Sequence, residues 1–506
     1  MKPVTRNLIA NYIGRSWALL INFIATPLLI SLLGIESYGL IGFYTTLYGL
    51  INLLDFGVSP TINRELAQYS VDPAQSHRGR DLVRTLEIGY WFIGLVLGII
   101  VYFGAPVIAE NWLQSYELSS DVLVHSIRLM GFLVVLEWPF TFYQGALLGM
   151  QRHVILNVIN IANSLLKFGG ALLILKFVSP TIDAFFTWQM FVSTIIIIVE
   201  VITVWRCLPA AEGRPSIDLK ILERVWKFAL SLNLISFLGL AIHQLDKVLV
   251  SHLFSLDTLG YYNLATMVSG GFTILVSPVY MTYFPKMSTL VAQKDEDALR
   301  RVYHQSCQLV SAAILPAATI GAFYAEIVIR IWTGNPTVAE KTAPIAALLI
   351  IGTAINALAS MPYEAQISHG WTGLSLTINI ISLPLVAILI LLLNQWFGIN
   401  GVSGIWIVYN LGLLLISVPI MHKRILQGEF GNWFRGDVLI PLAICLAFAG
   451  VLLAVQNSTL DIRNSVASLV ISAFILQLTV LFLVPFTRTK AINLIGKVLH
   501  RQNHAI

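Results

Sequence analysis

Apolar runs of about 20 to 25 residues follow one another along the whole chain, separated by short polar segments. At 1.5 Å per residue, each run as a helix matches a hydrocarbon core of about 30 Å, and the strict alternation of a membrane barrel strand is absent. The pattern predicts helical spans near 8–32, 39–63, 87–109, 124–148, 154–176, 183–205, 228–252, 259–283, 304–326, 343–366, 373–394, 401–422, 437–455 and 467–487, fourteen in all. Lys2 and Arg6 precede the first run, but it ends at Leu33-Gly34 without a small-x-small cleavage site, so it reads as a retained span.

Several spans carry a polar stripe. On a 3.6-residue period Asn11, Arg15, Ala18 and Asn22 fall within roughly 40° of one another on the first. Tyr44, Tyr48, Asn52, Asp55 and Ser59 share a face of the second. The fifth repeats the device with Asn160, Ser164 and Lys167, and the seventh with Asn233, Ser236, His243 and Lys247. A charge on such a face is costly unless it looks into protein or water, so these stripes point at something other than lipid.

Four cations therefore stand within spans: Arg15, Arg128, Lys167 and Lys247. A phosphate-bearing ligand would answer them, Arg with a bidentate fork and Lys with a point charge. Internal pairing with Asp55, Glu137, Asp246, Glu200 or Glu364 would answer them equally, and Arg15 and Lys247 also lie close enough to a surface to snorkel. Asn11, Asn22, Tyr48 and Asn52 are the accompanying candidates for contacts to a polar substrate. Among the acids, Asp55, then Glu137 and Asp246, are the candidates to exchange a proton or hold sodium during a transport cycle. Glu87, Glu200 and Glu364 sit near span ends, where plain solvation is the expectation.

Composition agrees with the pattern. The chain has 506 residues, 57% apolar and only 11% charged, and a mean hydropathy of +0.79, which excludes an ordinary soluble domain. Of its 31 Lys and Arg, only Lys176, Arg330, Lys341 and Arg463 fall in predicted outer loops; beyond the four within spans, the rest lie in inner segments. That asymmetry places both termini in the cytoplasm and accounts for a pI of 9.0 without nucleic acid. Cys207, Cys307 and Cys445 form neither a disulfide framework nor a metal spacing. No phosphate-binding loop motif occurs, no cofactor is expected, and no loop leaves room for a soluble catalytic domain.

A weak internal repeat divides the chain. Leu33-Gly34-Ile35-Glu36-Ser37-Tyr38-Gly39-Leu40 aligns with Phe254-Ser255-Leu256-Asp257-Thr258-Leu259-Gly260-Tyr261, each with an acid three residues before a glycine, at the first hairpin of each six-span half. The expected organisation is a first lobe over 1–207, a linker over 208–227, a second lobe over 228–424, an extra helix pair over 437–487 and a basic cytoplasmic tail over 488–506.

The same hairpins resemble the polysaccharide-export, O-antigen flippase branch of the multidrug/oligosaccharidyl-lipid/polysaccharide exporter superfamily. Asn11-Tyr12, Leu33-Gly34-x-Glu36-x-Tyr38-Gly39, Leu54-Asp55-Phe56-Gly57 and Asn63-Arg64-Glu65-Leu66-Ala67 carry the resemblance, with Leu245-Asp246-Lys247-Val248-Leu249 and Leu259-Gly260-Tyr261-Tyr262-Asn263-Leu264-Ala265 in the second half. It implies an all-α integral membrane protein of about fourteen helices: two pseudo-symmetric six-helix lobes around a central cleft, plus two C-terminal helices, working by alternating access. It further implies a non-enzymatic flippase of the bacterial inner membrane that moves undecaprenyl-pyrophosphate-linked oligosaccharide. Arg15, Arg128, Lys167 and Lys247 would then meet the anionic head group, and polysaccharide polymerase and chain-length proteins would be neighbours. A cation-coupled drug antiporter of the related toxin-extrusion branch and a membrane glycan polymerase or ligase are the alternatives.

Overall fold

The structure is a computed structural model, which describes residues 3–55, 57–69, 76–209, 215–456, 465–486 and 488–489, with the side chains of 3–13, 15–16, 18–19, 76 and 219–234 outside that description. The chain divides into two compact units, Met1–Gly260 and Tyr261–Ile506.

In the first unit α1 (Pro3–Leu33) is followed by α2 (Ile35–Leu53) and α3 (Val58–Tyr69). Next come α4 (Ser76–Asn111), α5 (Ser120–Glu137), α6 (Phe140–Gly149) and α7 (His153–Ser164), the last running through a π-helical turn at Leu165–Gly170 into α8 (Ala171–Phe177). Then come α9 (Ile182–Cys207), α10 (Leu219–Leu253) and α11 (Leu256–Gly271), inside which the unit boundary falls.

The second unit continues with α12 (Thr273–Gln293), α13 (Glu296–Phe323), α14 (Ala325–Thr333), α15 (Pro336–Ser368) and α16 (Gly373–Phe397). It ends with α17 (Ile399–Gly412), α18 (Val418–Arg424), α19 (Phe430–Asn432), α20 (Ile440–Gln456) and α21 (Val466–Leu483), with π-helical turns at Leu413–Ser417 and Trp433–Leu439.

Among the described residues, ten helices are long and apolar enough to cross a membrane, and twelve if each of two bent helix pairs is one span. The bent pairs are α2 with α3, at 56°, and α11 with α12, at 42°. α1 and α10 are 31 and 35 residues long, with some of their side chains outside the described set.

Two expectations change in detail. The connection expected between the spans 8–32 and 39–63 is a single residue: Gly34 takes φ +81, a left-handed conformation that costs glycine nothing, and the helix restarts at Ile35. The span expected as continuous over 39–63 breaks near Leu54–Gly57, where Gly57 stands at φ +84. A positive φ cannot continue a right-handed helix, so the polar face of this span is split between two axes.

Glycines let neighbouring helices approach closely. A methyl on Gly98 would stand 2.7 Å from the Gly131 carbonyl oxygen, and on Gly145 or Gly149 about as close to the carbonyls of Ser59 or Asn63. α4 therefore lies tightly on α5, and α6 on α3.

The two repeated hairpins meet one another within the first unit. A methyl on Gly39 would stand 1.8 Å from the carbonyl oxygen of Leu256, and one on Gly260 would stand 2.5 Å from that of Ile35. In the repeat alignment Gly39 corresponds to Gly260 and Ile35 to Leu256. The contact is thus reciprocal: each glycine admits the backbone of the equivalent residue in the other hairpin.

The α4–α5 loop ties the same seam. Glu36, fully buried, accepts the backbone N–H groups of Tyr116 and Glu117, both at 2.9 Å, and the Ser115 hydroxyl. Gln114 then bridges to the second hairpin by accepting the Leu256 N–H at 2.8 Å. Glu36→Ala strands the N–H groups of Tyr116 and Glu117, while the Ser115 hydroxyl keeps the Leu118 carbonyl at 2.9 Å, so it should cost about 2 kcal/mol or more. A lower unfolding temperature with earlier protease cleavage within 112–118 is the expected result; a wild-type cleavage pattern would count against this anchor.

Candidate functional site

The break between α2 and α3, together with α4, α5, α6 and α9, assembles four buried or half-buried carboxylates in the first unit. Tyr44 and Tyr48 stand one turn apart on α2, and their rings stack at 6.2 Å. Glu137, at the end of α5, accepts the Tyr44 hydroxyl at 2.8 Å and the Ser193 hydroxyl at 2.7 Å, while its backbone carbonyl accepts Tyr48 at 3.1 Å. The Lys167 ammonium, carried on the π-helical turn, donates to the same carboxylate and lies 5.6 Å from the Phe140 ring centroid.

A π-helical turn inserts an extra residue and re-aims the side chains it carries, which is how Lys167 leaves the stripe of Asn160 and Ser164 to reach Glu137. Of the two readings the sequence left open for Lys167, the geometry is that of an internal ion pair.

Asp55 sits in the helix break and accepts the Ser59 hydroxyl at 2.8 Å, the Ser59 N–H at 3.3 Å and the Tyr90 hydroxyl. Tyr90 packs on Trp138, the residue after Glu137, with ring centroids 5.8 Å apart, so the two carboxylate centres share one aromatic wall.

Glu87 and Glu200 were expected at solvated span ends, and both are instead buried. Glu87 accepts the Tyr143 hydroxyl at 2.6 Å, the Trp205 indole at 3.1 Å and the Arg84 guanidinium at 3.1 Å. Glu200 is 0% exposed and, among the described residues, receives only the Gln144 amide, at 3.3 Å. Its Oε2, like Oδ1 of Asn52, is buried without a partner. Helix ends near the membrane surface are solvated only on faces that no other helix covers, and α6 covers this face of α9.

The other sequence candidates lie apart from this cluster. Asn22 is half-buried on α1, where its backbone carbonyl accepts the Thr26 hydroxyl at 2.9 Å. Asn11, Arg15 and Asn233 belong to helices, but their side chains lie outside the described residues. Arg128 stacks over Tyr102, 5.3 Å from its ring centroid. On α10, Asp246 is buried and accepts the N–H of Lys247 at 2.7 Å, whereas Lys247 is half-buried and His243 exposed.

Two carboxylates, Asp55 and Glu137, were legible from charge within a span. Ser193, Gln144, Tyr90 and Tyr143 carry no such signal, because a hydroxyl or amide among apolar residues is common on any packed helix.

Among the described residues, the basic side chains that pair with Asp55, Glu87, Glu137 and Glu200 are Lys167, with Glu137, and Arg84, with Glu87. This network is short of positive charge.

The second unit has a different polar centre. His304 on α13 bonds Asp437 through one ring nitrogen and Glu429 through the other, the latter at 3.1 Å. Gln308 donates to Asp437 at 2.8 Å and accepts the Phe486 N–H at 3.0 Å, which fastens the last helices to α13. The Asn432 amide at 2.8 Å, with His304 and Arg300, holds Glu429 below the usual carboxylate range. The apolar groove of about 600 Å³ between α13 and α21 is lined by Phe272, Pro316, Leu469 and Phe474, with Gln477 as its polar residue, so it offers no ionic chemistry.

The polysaccharide biosynthesis protein family model matches residues 28–336. A Shigella flexneri protein named "Putative O-antigen transporter" is 22% identical over 407 residues, covering 80% of this chain and 94% of its own. Among solved structures, the lipid II flippase MurJ in an inward closed conformation superposes with a TM-score of 0.69 at 12% identity, covering 97% of this chain and all of that one. An inward-facing MATE-family multidrug resistance transporter of the MOP superfamily superposes with a TM-score of 0.64 at 12% identity, covering 80% of this chain and 96% of its own. The chain belongs to the polysaccharide biosynthesis protein family, and its fold is that of the MOP-superfamily membrane transporters.

Proposed function

We propose that the protein is a flippase that moves undecaprenyl-pyrophosphate-linked oligosaccharide, an O-antigen or related repeat unit, across the bacterial inner membrane by alternating access. The observation that carries this reading is the family match joined to a fold likeness that runs the full length of a lipid flippase. The basic-residue asymmetry supports cytoplasmic termini, and the resemblance supports polymerase and chain-length proteins as neighbours.

The charge distribution divides the work. With Lys167 engaged by Glu137, the cations left for the pyrophosphate are Arg15, Arg128 and Lys247, with Asn11, Asn22, Tyr48 and Asn52 for the glycan. The acidic network takes the coupling ion, a proton or sodium. Asp55 comes first in that role because it sits in a helix break, where a changed charge alters a bend, followed by Glu137 and Asp246.

The acidic network also favours a second reading, a cation-coupled antiporter of small cationic molecules, whose cargo would seek such a site. Movement of a fluorescent pyrophosphate-linked oligosaccharide in proteoliposomes separates the two. The flippase reading expects transfer by wild type that an imposed proton or sodium gradient accelerates, and Asp55→Asn to transfer without that acceleration. Absence of transfer with or without gradients, alongside gradient-driven uptake of a cationic dye, would overturn it. A gradient response unchanged in Asp55→Asn would remove Asp55 from coupling.

A further inference from the structure

Arg128 is in an unusual position for a charge within a span. It lies on the face of α5 that also holds Asp121, His125 and Phe132, all exposed. Its guanidinium stacks over Tyr102 of α4, and Tyr102 is flanked edge-on by Phe103 and Phe132, with ring centroids 5.4 and 5.6 Å away. Phe103 is 74% exposed and Phe132 50%. Exposed phenylalanines within apolar spans mark a surface that meets acyl chains, so Arg128 stands at the edge of a lipid-facing wall.

The guanidinium has one face on a tyrosine ring and no paired anion among the described residues. Its Nε is buried without a hydrogen-bond partner, and no carboxylate among the described residues pairs with it. Asp121, two turns nearer the α4–α5 loop on the same face, makes no ion pair with it. An uncompensated cation in hydrocarbon is expensive, and with no partner among the described residues the exposed face of α5 points to one from the surrounding lipid.

Depth selects that partner. Arg128 is eight residues into α5, about 12 Å along the axis from Ser120. Helical side chains lean toward the N-terminus of their helix, here toward the α4–α5 loop, and a long arginine extends further in that direction. The group it reaches is the phosphate layer of the adjoining leaflet, the outer one on the orientation given by the basic residues. Exposed His125, one turn nearer the loop, offers a second donor on the same path.

We infer that Arg128, held by Tyr102 and assisted by His125, is a lateral binding site for the phosphate of a lipid head group in that leaflet. The fork of an arginine stacked on one face offers its terminal nitrogens edge-on, which suits a phosphate held bidentately. A phospholipid phosphodiester and the pyrophosphate of the polyprenyl carrier share this chemistry. Only the second source rests on the proposed transport function, where the site would receive the carrier on its way into the leaflet.

The test is native mass spectrometry of the full-length protein, released from micelles holding either phosphatidylglycerol or undecaprenyl pyrophosphate. Wild type, Arg128→Gln, Arg128→Lys and Tyr102→Phe would be compared. Charge-assisted bonds of this kind predict at least about a tenfold loss of retained lipid in Arg128→Gln. Arg128→Lys should retain an intermediate amount, and Tyr102→Phe, which keeps the ring, the wild-type amount. Loss confined to phosphatidylglycerol assigns the site to a bulk phospholipid, and loss confined to the pyrophosphate assigns it to the carrier. Equal retention of both lipids by wild type and Arg128→Gln would overturn the site. Removing a charge from a lipid-facing surface leaves packing intact, so an unchanged unfolding temperature accompanies the expected loss. Retention is read without transport, so failure of this site and failure of the flippase assignment remain separate results.

Discussion

Gly39→Ala is expected to cost at least about 3 kcal/mol, at the upper end of the range for overpacking. The added methyl would lie 1.8 Å from the Leu256 carbonyl oxygen, and that atom is backbone, so no side-chain rotation relieves the clash. Either α2 or the start of α11 must move, and the anchor that Glu36 and Gln114 make with the α4–α5 loop moves with it. Purified Gly39→Ala should unfold several degrees below wild type and accumulate poorly in membranes. Gly260→Ala, 2.5 Å from the Ile35 carbonyl oxygen, should behave the same way to a smaller extent. Gly89→Ala, inside α4 with nothing within 4 Å of the new methyl, is the control. It should be neutral or gain up to about 1 kcal/mol from helix propensity. Wild-type stability in Gly39→Ala would show that the hairpins do not meet as described.

The second large effect is at the Glu137–Lys167 pair. Lys167→Ala leaves a carboxylate that is 6% exposed without its cation, a change worth about 3–5 kcal/mol when one partner of a buried pair is removed. Surface glycan in a complemented strain should disappear, and the purified variant should be destabilised. The companion variant is the double change Glu137→Gln with Lys167→Met. It removes both charges; the amide oxygen accepts one of the Tyr44 and Ser193 hydroxyls and the amide NH2 donates to the other, so the variant should recover most of the stability. If stability and glycan both return in the double variant, the pair is structural. If stability returns without glycan, the charge itself serves transport. Lys167→Ala with wild-type stability would show that the pair contributes little to the fold.

These two sites illustrate what could be read in advance. Gly39 was visible as a member of a repeated hairpin, but its reason for being glycine lies in a residue more than two hundred positions away. Lys167 was visible as a charge in an apolar run, and its two readings could not be separated on a helical wheel. The deciding feature is a π-helical turn, a local change of period that rotates Lys167 toward Glu137. Glu87 and Glu200 failed for a related reason. Their distance from the span ends suggested water, while burial depends on which neighbouring helix covers them.

By itself, the sequence determined that the chain is a bundle of membrane-crossing helices, because a run of apolar residues long enough to cross hydrocarbon must satisfy its own backbone bonds. It also carried the repeated hairpins and the family motifs, which are local patterns along the chain. Tertiary structure alone decided where the α2–α3 span bends, that Lys167 reaches Glu137, that Glu200 is sealed from solvent, and that Arg128 lies against Tyr102. Partner choice inside a membrane depends on which helix faces are apposed and at what depth, and a one-dimensional period specifies a face without naming the helix that will cover it.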